Sequence, residues 1–331
     1  MNNSNIKWVD ILKGIGIFFV VVGHIFKGKI VDMIFLFHMP LFFFVSGYLF
    51  KPTDNLIGFF KKKVIHLLVP YLFFMILIYI PQEISCFMSG KDTFVEAVLR
   101  PILGGKFLVG WTGVFWFTTC LFFVQQVMNL LYVSFDKKNV SIIMCISMVF
   151  GYINGIIFPG FWLPWSINIA FVAMPIFYIG YLCKNINYFD IIKISNFLIL
   201  LCISIGILIV PGNYMNMKNA YYGIPVITII SSFVIIVFLI ILSKKISNFP
   251  LMSNVLSSLG SASIIVMYLH QPIQMILVDS FGITSYMTRL IFSLVLSFLF
   301  YKLFNHYDLS KALFLGNKEA FQRVLPFKHK L

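Results

Sequence analysis

Three side chains on one apolar stretch are of types that do chemistry. Trp8 to His24 reads WVDILKGIGIFFVVVGH, long and apolar enough to enter a bilayer, and it carries Asp10, Lys13 and His24. At ~100° per residue, the step from Lys13 to His24 returns almost to the same helix face. At ~1.5 Å rise per residue, the two heads start roughly 16 Å apart along the axis. One helix therefore offers a cation near one membrane surface and an imidazole near the other. An imidazole, with an ordinary pKa of ~6.5, gives and takes protons near neutrality. His38, in FHMPLFFFVSGYLF, lies on the next apolar stretch, so two imidazoles on consecutive helices are expected near one level. Ionisable groups inside a bilayer are costly, face a protein or watery interior, and count by default as functional candidates. Each also has an ordinary alternative. A His at a helix end is an interfacial anchor, Lys13 can snorkel to headgroups, and Asp10 lies one turn away as its local partner.

Further candidates follow along the chain. Lys61, Lys62 and Lys63 open the third apolar stretch, followed by His66 and Pro70-Tyr71. They read either as positive-inside anchors or as a cationic mouth for a phosphorylated cofactor. Trp116 and Phe117 stand at the start of the fourth, as an aromatic belt or as a stacking surface for a ligand. His270, in MYLHQPI, falls midway through the ninth stretch, where an anchor role fits poorly and a packed, hydrogen-bonded His is the alternative. Arg289 falls in the outer turns of the tenth. Glu83 and Asp279 sit at outer ends and say less.

The elements that must position these groups are membrane helices. The chain has 331 residues, 60% hydrophobic and 11% charged, with 39 Phe. A globular chain carries about 25% charged residues, so the class is a polytopic all-α membrane protein. At ~20 apolar residues per span, ten helices are expected near 8–26, 33–50, 64–84, 113–133, 140–157, 165–183, 194–211, 223–242, 260–279 and 284–304. With the N-terminus inside, 18 of the 25 Lys and Arg fall on the inner side, which puts both termini in the cytoplasm. The net charge of +14 is thus topological, and nucleic acid is not an expected partner. The five cysteines are scattered through apolar segments, with neither a disulfide framework nor metal-ligand spacing, so no metal is expected. Gly23-His24-Ile25-Phe26 offers no small-x-small cleavage site, so the first helix reads as retained. The connection 85–112, with Gly104-Gly105 and Gly110, is expected outside as a partly re-entrant or interfacial segment. Residues 1–305 form one transmembrane domain and 306–331 a basic cytoplasmic tail, expected to lie on the anionic inner leaflet as an amphipathic helix.

The residues also carry a resemblance. Asp10-Ile-Leu-Lys-Gly-Ile-Gly-Ile, Val-Val-Gly-His24 and Phe37-His38-Met-Pro through Phe50 resemble the membrane acyltransferase-3 family, most closely its fucose 4-O-acetylase-like branch. Lys63 to Pro70-Tyr71, Phe115-Trp116-Phe117, Pro175 to Tyr181 and Tyr268-Leu-His270-Gln-Pro272 resemble its later motifs in order, so the likeness covers about residues 6–305. It implies a ten-helix inner-membrane enzyme that moves an acyl group, usually acetyl, from cytoplasmic acyl-CoA to a hydroxyl of a cell-envelope glycan or its lipid-linked precursor. The family's first-helix pattern is Arg, ten residues, His. Here Lys13 takes the Arg position, a point charge in place of a fork, and His24 takes the His. Some members append an extracytoplasmic hydrolase-like domain, which is not expected here.

Together these readings make His24 the general base, or the acyl carrier, and His38 its orienting partner. Lys13, with Lys62 or Lys63, is assigned to the CoA phosphates, Asp10 to the same cofactor site as the partner of Lys13, and Trp116, His270 and Arg289 to the acceptor side. The expected partners are acetyl-CoA, the glycan or lipid-linked sugar, and the bilayer; a homodimer is left open. The rival from another class is a transporter or flippase of a lipid-linked sugar, using the same charges as a path. Against it, the sequence has no inverted repeat and no matched pair of broken helices.

Overall fold

Long apolar runs become helices because in hydrocarbon each backbone N–H and C=O must be paired within its own segment. A computed structural model describes residues 4–90, 93–184 and 210–324 of the chain, with 196, 199–200, 202–203 and 206–207 between them. The helices are α1 (Ser4–Ile25), α2 (Lys29–Phe35), α3 (His38–Tyr48), α4 (Leu56–Met88), α5 (Phe94–Leu103), α6 (Trp116–Ser134), α7 (Lys137–Ile157), α8 (Ile167–Cys183), α9 (Ile227–Ile246), α10 (Pro250–Ser261), α11 (Ser263–Asp279), α12 (Tyr286–Phe304), α13 (Asp308–Leu315) and α14 (Lys318–Val324). Among the described residues eight spans are long and apolar enough to cross a membrane, and nine if α10 and α11 form one broken span. Half of the seventh expected helix, 194–211, lies outside the described residues.

Prolines explain where the helices depart from simple runs. The expected helix 33–50 is two pieces, α2 and α3, parted at Leu36-Phe37, where Phe37 has φ −128°. A proline ring cannot tolerate the carbonyl four residues back, and for Pro40 that carbonyl belongs to Leu36. Helix α4 begins at Leu56, eight residues before the expected start, because Lys61, Lys62 and Lys63 ride on the helix instead of preceding it. Asn55 caps it, its side chain accepting from the Gly58 N–H at 2.8 Å. Within α4, π-helical turns at Val64–Leu68 and Met75–Tyr79 lead into Pro70 and Pro81. The wider turns re-pair carbonyls that proline leaves without an N–H. The expected helix 260–279 is α11, and α10 precedes it across a break at Ala262.

The described residues divide between two compact units. The first comprises Met1–Phe50, Met144–Pro159 and Val172–Ser263; the second comprises Lys51–Ile143, Gly160–Phe171 and Ile264–Leu331. In the first, α1 is the central helix and packs on α2, α3, α9 and above all α10. The α1–α10 crossing is backbone on backbone. A Cβ at Gly14 would lie 2.0 Å from the Leu256 carbonyl oxygen, and one at Gly260 would lie 1.8 Å from that of Asp10. Only glycine at both positions permits this approach.

In the second unit the core is aromatic. Phe74 stacks on Tyr268 with centroids 4.6 Å apart, and Phe115 meets the same ring edge-on at 4.6 Å. The buried Tyr268 hydroxyl is paired with Thr118 Oγ1 at 2.7 Å. Helix α5, in the 85–112 connection, starts with a capping box between Thr93 and Glu96 and buries none of its residues. Residues 308–324, within the stretch expected to be a tail, form α13 and α14. Phe314 stacks on Phe304 at 4.3 Å, and Arg323 is ion-paired with Asp308 at 2.7 Å.

Candidate active site

In the N-terminal half of α1, Lys13 Nζ lies 2.7 Å from Asp10 Oδ1, and both side chains are about one-quarter exposed. The pair is one helical turn apart, so the backbone alone brings it together. Lys7 donates to Asn254 Oδ1 at 3.1 Å, and Lys244 lies 5.4 Å from the Trp8 ring. Trp8 in turn meets Tyr48 edge-on at 5.2 Å. This end of the unit is thus a cluster of cations held by aromatic and amide groups, with one carboxylate among them.

At the other end of α1 the two imidazoles converge on one ring. His24 and Phe35 meet edge-on with centroids 5.9 Å apart, and Phe35 and His38 are 4.8 Å apart. The α2–α3 break is what places His38 there. His38 Nδ1 lies 2.9 Å from the Ile34 carbonyl oxygen. An oxygen there can only accept, so Nδ1 carries the proton and the lone pair sits on Nε2. His38 is 2% exposed, so its ring is held by packing as well; His24 is half-buried.

The sequence reading left out the segment that closes this end. Tyr214 meets Phe35 edge-on at 6.3 Å and packs against Tyr221 at 5.5 Å. Asn216 and Tyr221 form an antiparallel bridge, with N–H to O distances of 2.7 and 3.1 Å, and Asn216 Nδ2 donates to the Tyr214 hydroxyl at 3.2 Å. Burial raises the Tyr214 pKa, and the Asn216 hydrogen bond opposes that shift. Lys218, on the turn Met217–Asn219, is pushed down to about 8 by burial. A signal was present: NYMNMKNAYYG is rich in Asn and Tyr between two apolar runs.

The remaining candidates belong to the second unit. Lys61 and Lys62 are exposed on α4, and Lys63 Nζ lies 5.3 Å from the Phe59 ring. Trp116 opens α6, is 5% exposed, and its carbonyl accepts from Thr119 Oγ1 at 3.0 Å. His270 is fully buried, with Nδ1 2.7 Å from the Val266 carbonyl oxygen. Ser293 donates to the His270 carbonyl at 3.4 Å, and Arg289 donates to the buried Gln274 side chain. His270 and Gln274 are four residues apart on α11, as are Arg289 and Ser293 on α12. These two rungs join His270 and Arg289 into one α11–α12 seam.

No curated protein and no solved structure is significantly similar to the chain. Residues 6–304, which carry both imidazoles, the Asp10–Lys13 pair and the α11–α12 seam, match the acyltransferase domain of the acyltransferase-3 family, and the chain belongs to that family.

Proposed function

We propose that the protein is an O-acetyltransferase of the cytoplasmic membrane, moving acetyl from cytoplasmic acetyl-CoA to a hydroxyl of a cell-envelope glycan or its lipid-linked precursor. The fucose 4-O-acetylase-like branch is the part of the family it resembles. The reading takes the chain as ten spans with both termini in the cytoplasm, residues 1–305 as the catalytic domain and 306–331 as its basic extension. The observation that carries it is the convergence of His24 and His38 on Phe35, at the opposite end of α1 from the Asp10–Lys13 pair.

In this reading His24 is the general base. It takes the proton of the acceptor hydroxyl as that oxygen attacks the acyl carbonyl. His38 is a positioning residue whose Nδ1–H is committed to Ile34, so its Nε2 can share the proton taken by His24. The carbon–sulfur bond then breaks, and the CoA thiolate leaves and is protonated. Lys13, oriented by Asp10, supplies charge for the donor's phosphates, and Lys62 and Lys63 are assigned the same task. Trp116, His270 and Arg289 are assigned to the acceptor side, His270 and Arg289 through the seam they share.

The test is radiolabelled acetyl-CoA added to membranes containing the protein together with candidate glycans. Label in an alkali-labile ester on the glycan is the expected result. Failure of functional, folded protein to bind CoA at all would overturn the reading and return weight to a flippase.

A further inference from the structure

The first unit carries an apolar groove of about 460 Å³, a size that suits a ligand. Its walls are the C-terminal half of α7 and the first turns of α9. Met148, Tyr152 and Ile156 stand four residues apart on one face of α7, opposite Val226, Ile229 and Ile230. Apolar atoms make up almost the whole lining, so a hydrocarbon is the ligand chemistry it can accept. Helices α7 and α9 are both long and apolar enough to cross a membrane, so the groove is built from two candidate spans.

The rim of the groove is the end of the segment that closes the imidazole site. Tyr152 donates to the Tyr222 carbonyl at 3.4 Å. A Cβ at Gly155 would lie 2.3 Å from the Ala220 carbonyl oxygen, so the segment is seated directly on α7. Eight residues before Tyr222, Tyr214 touches Phe35, the ring shared by His24 and His38. At the rim Val226 holds φ +67°, a backbone state a β-branched residue rarely adopts and one that only surrounding structure maintains. Groove and imidazoles thus lie at one end of the unit, joined by residues 214–226.

We infer that the groove on α7 and α9 binds the hydrocarbon tail of a lipid-linked glycan acceptor and so delivers the attached sugar to His24 and His38. This rests on the transferase reading and makes it more specific: the substrate is the membrane-bound precursor and not the finished, water-soluble glycan. A tail arriving sideways from the bilayer meets the groove without crossing water. Its polar head then lies next to the Asn- and Tyr-rich segment, whose amide and hydroxyl groups can bind sugar hydroxyls.

The experiment uses the full chain in vesicles of phosphatidylethanolamine and phosphatidylglycerol. A diazirine-bearing polyprenyl diphosphate is the probe. Photolabel should map to α7 and the start of α9, and excess lipid-linked glycan should compete for it while excess phospholipid should not. Ile156→Trp and Ile230→Trp fill the groove from exposed positions, 62% and 56% accessible, where folding is little disturbed. They should lower kcat/KM for the lipid-linked acceptor, relative to a water-soluble glycan, by about tenfold or more. Equal competition by phospholipid, or an unaltered ratio in both variants, would overturn the inference while leaving acetyl transfer standing. If no transfer to any glycan is found, the labelling arm still decides whether the groove binds the polyprenyl chain.

Discussion

His38 and His270 are both buried, and both commit Nδ1 to the carbonyl four residues back, at 2.9 and 2.7 Å. What surrounds them differs. His38 stands at the start of a helix, beyond a break, with a second imidazole across one phenyl ring and a polar segment closing the end. His270 lies in the middle of α11, in a seam of which the Ser293 and Arg289 contacts are the rungs. The same local hydrogen bond fixes the tautomer in both cases. In the first it leaves an imidazole that shares the Phe35 ring with a second imidazole. In the second it fixes a ring on a helix that Ser293 and Arg289 tie to its neighbour through the His270 carbonyl and the Gln274 side chain. A histidine in a membrane helix is thus read for chemistry from its neighbours and not from its depth.

Substitutions sharpen that contrast, and the largest effect falls on His24. His24→Ala should lower acetyl transfer by ~10²–10⁴-fold, the contribution of a positioned base, without loss of protein from the membrane. Kinetics on purified protein at matched concentration would show it. His38→Ala should act in the same direction but less severely, because it removes the orienting partner and not the base. Its pH–rate profile should shift relative to wild type, a change that loss of packing alone would not produce.

Effects on the donor come next. A charge-assisted contact contributes roughly 1.5–3 kcal/mol. Lys13→Ala should therefore weaken CoA binding about ten- to a hundredfold at ~1.4 kcal/mol per decade. Lys13→Arg should keep most of the affinity, and Lys13→Glu should fall below Ala, since it sets an anion beside Asp10 and the phosphates. Calorimetry on the three variants separates these, and equal affinities would remove Lys13 from the donor site.

The smallest effect on chemistry belongs to the seam. Arg289→Ala leaves the buried Gln274 oxygen without its donor, a cost of about 1–3 kcal/mol in stability. Thermal unfolding should move down while kcat per folded molecule is affected far less than by His24→Ala. A loss of kcat equal to that of His24→Ala would erase the distinction between the two regions.

Much of the fold was legible because hydrocarbon demands long apolar helices. The Lys13-to-His24 spacing placed both side chains on one helix, α1, whose observed end at Ile25 lies one residue from the expected limit. What escaped depends on contacts distant in sequence or on small backbone adjustments. The α2–α3 break follows from Pro40, yet an apolar run on both sides of a proline reads as one span. The expected start at 64 falls just after Lys61 to Lys63 because charge usually ends a span; on α4 two of them are exposed, and the helix runs through them. Tyr214 escaped because it lies far along the chain from His24 and His38, and no local periodicity announces that the segment folds back over Phe35. Phe35 itself is one phenylalanine among 39, with nothing in its neighbours to single it out.

The central claim is that the imidazoles on Phe35 do the chemistry and the imidazole in the α11–α12 seam does not. The direct measurement is single-turnover acetyl transfer by purified, reconstituted His24→Ala and His270→Ala, each normalised to folded protein and saturated with acetyl-CoA. The account predicts at least a hundredfold loss for His24→Ala, at the lower bound of about 10² for a missing base, and a far smaller loss for His270→Ala. Near-normal turnover by His24→Ala, or an equal collapse in both, would contradict it.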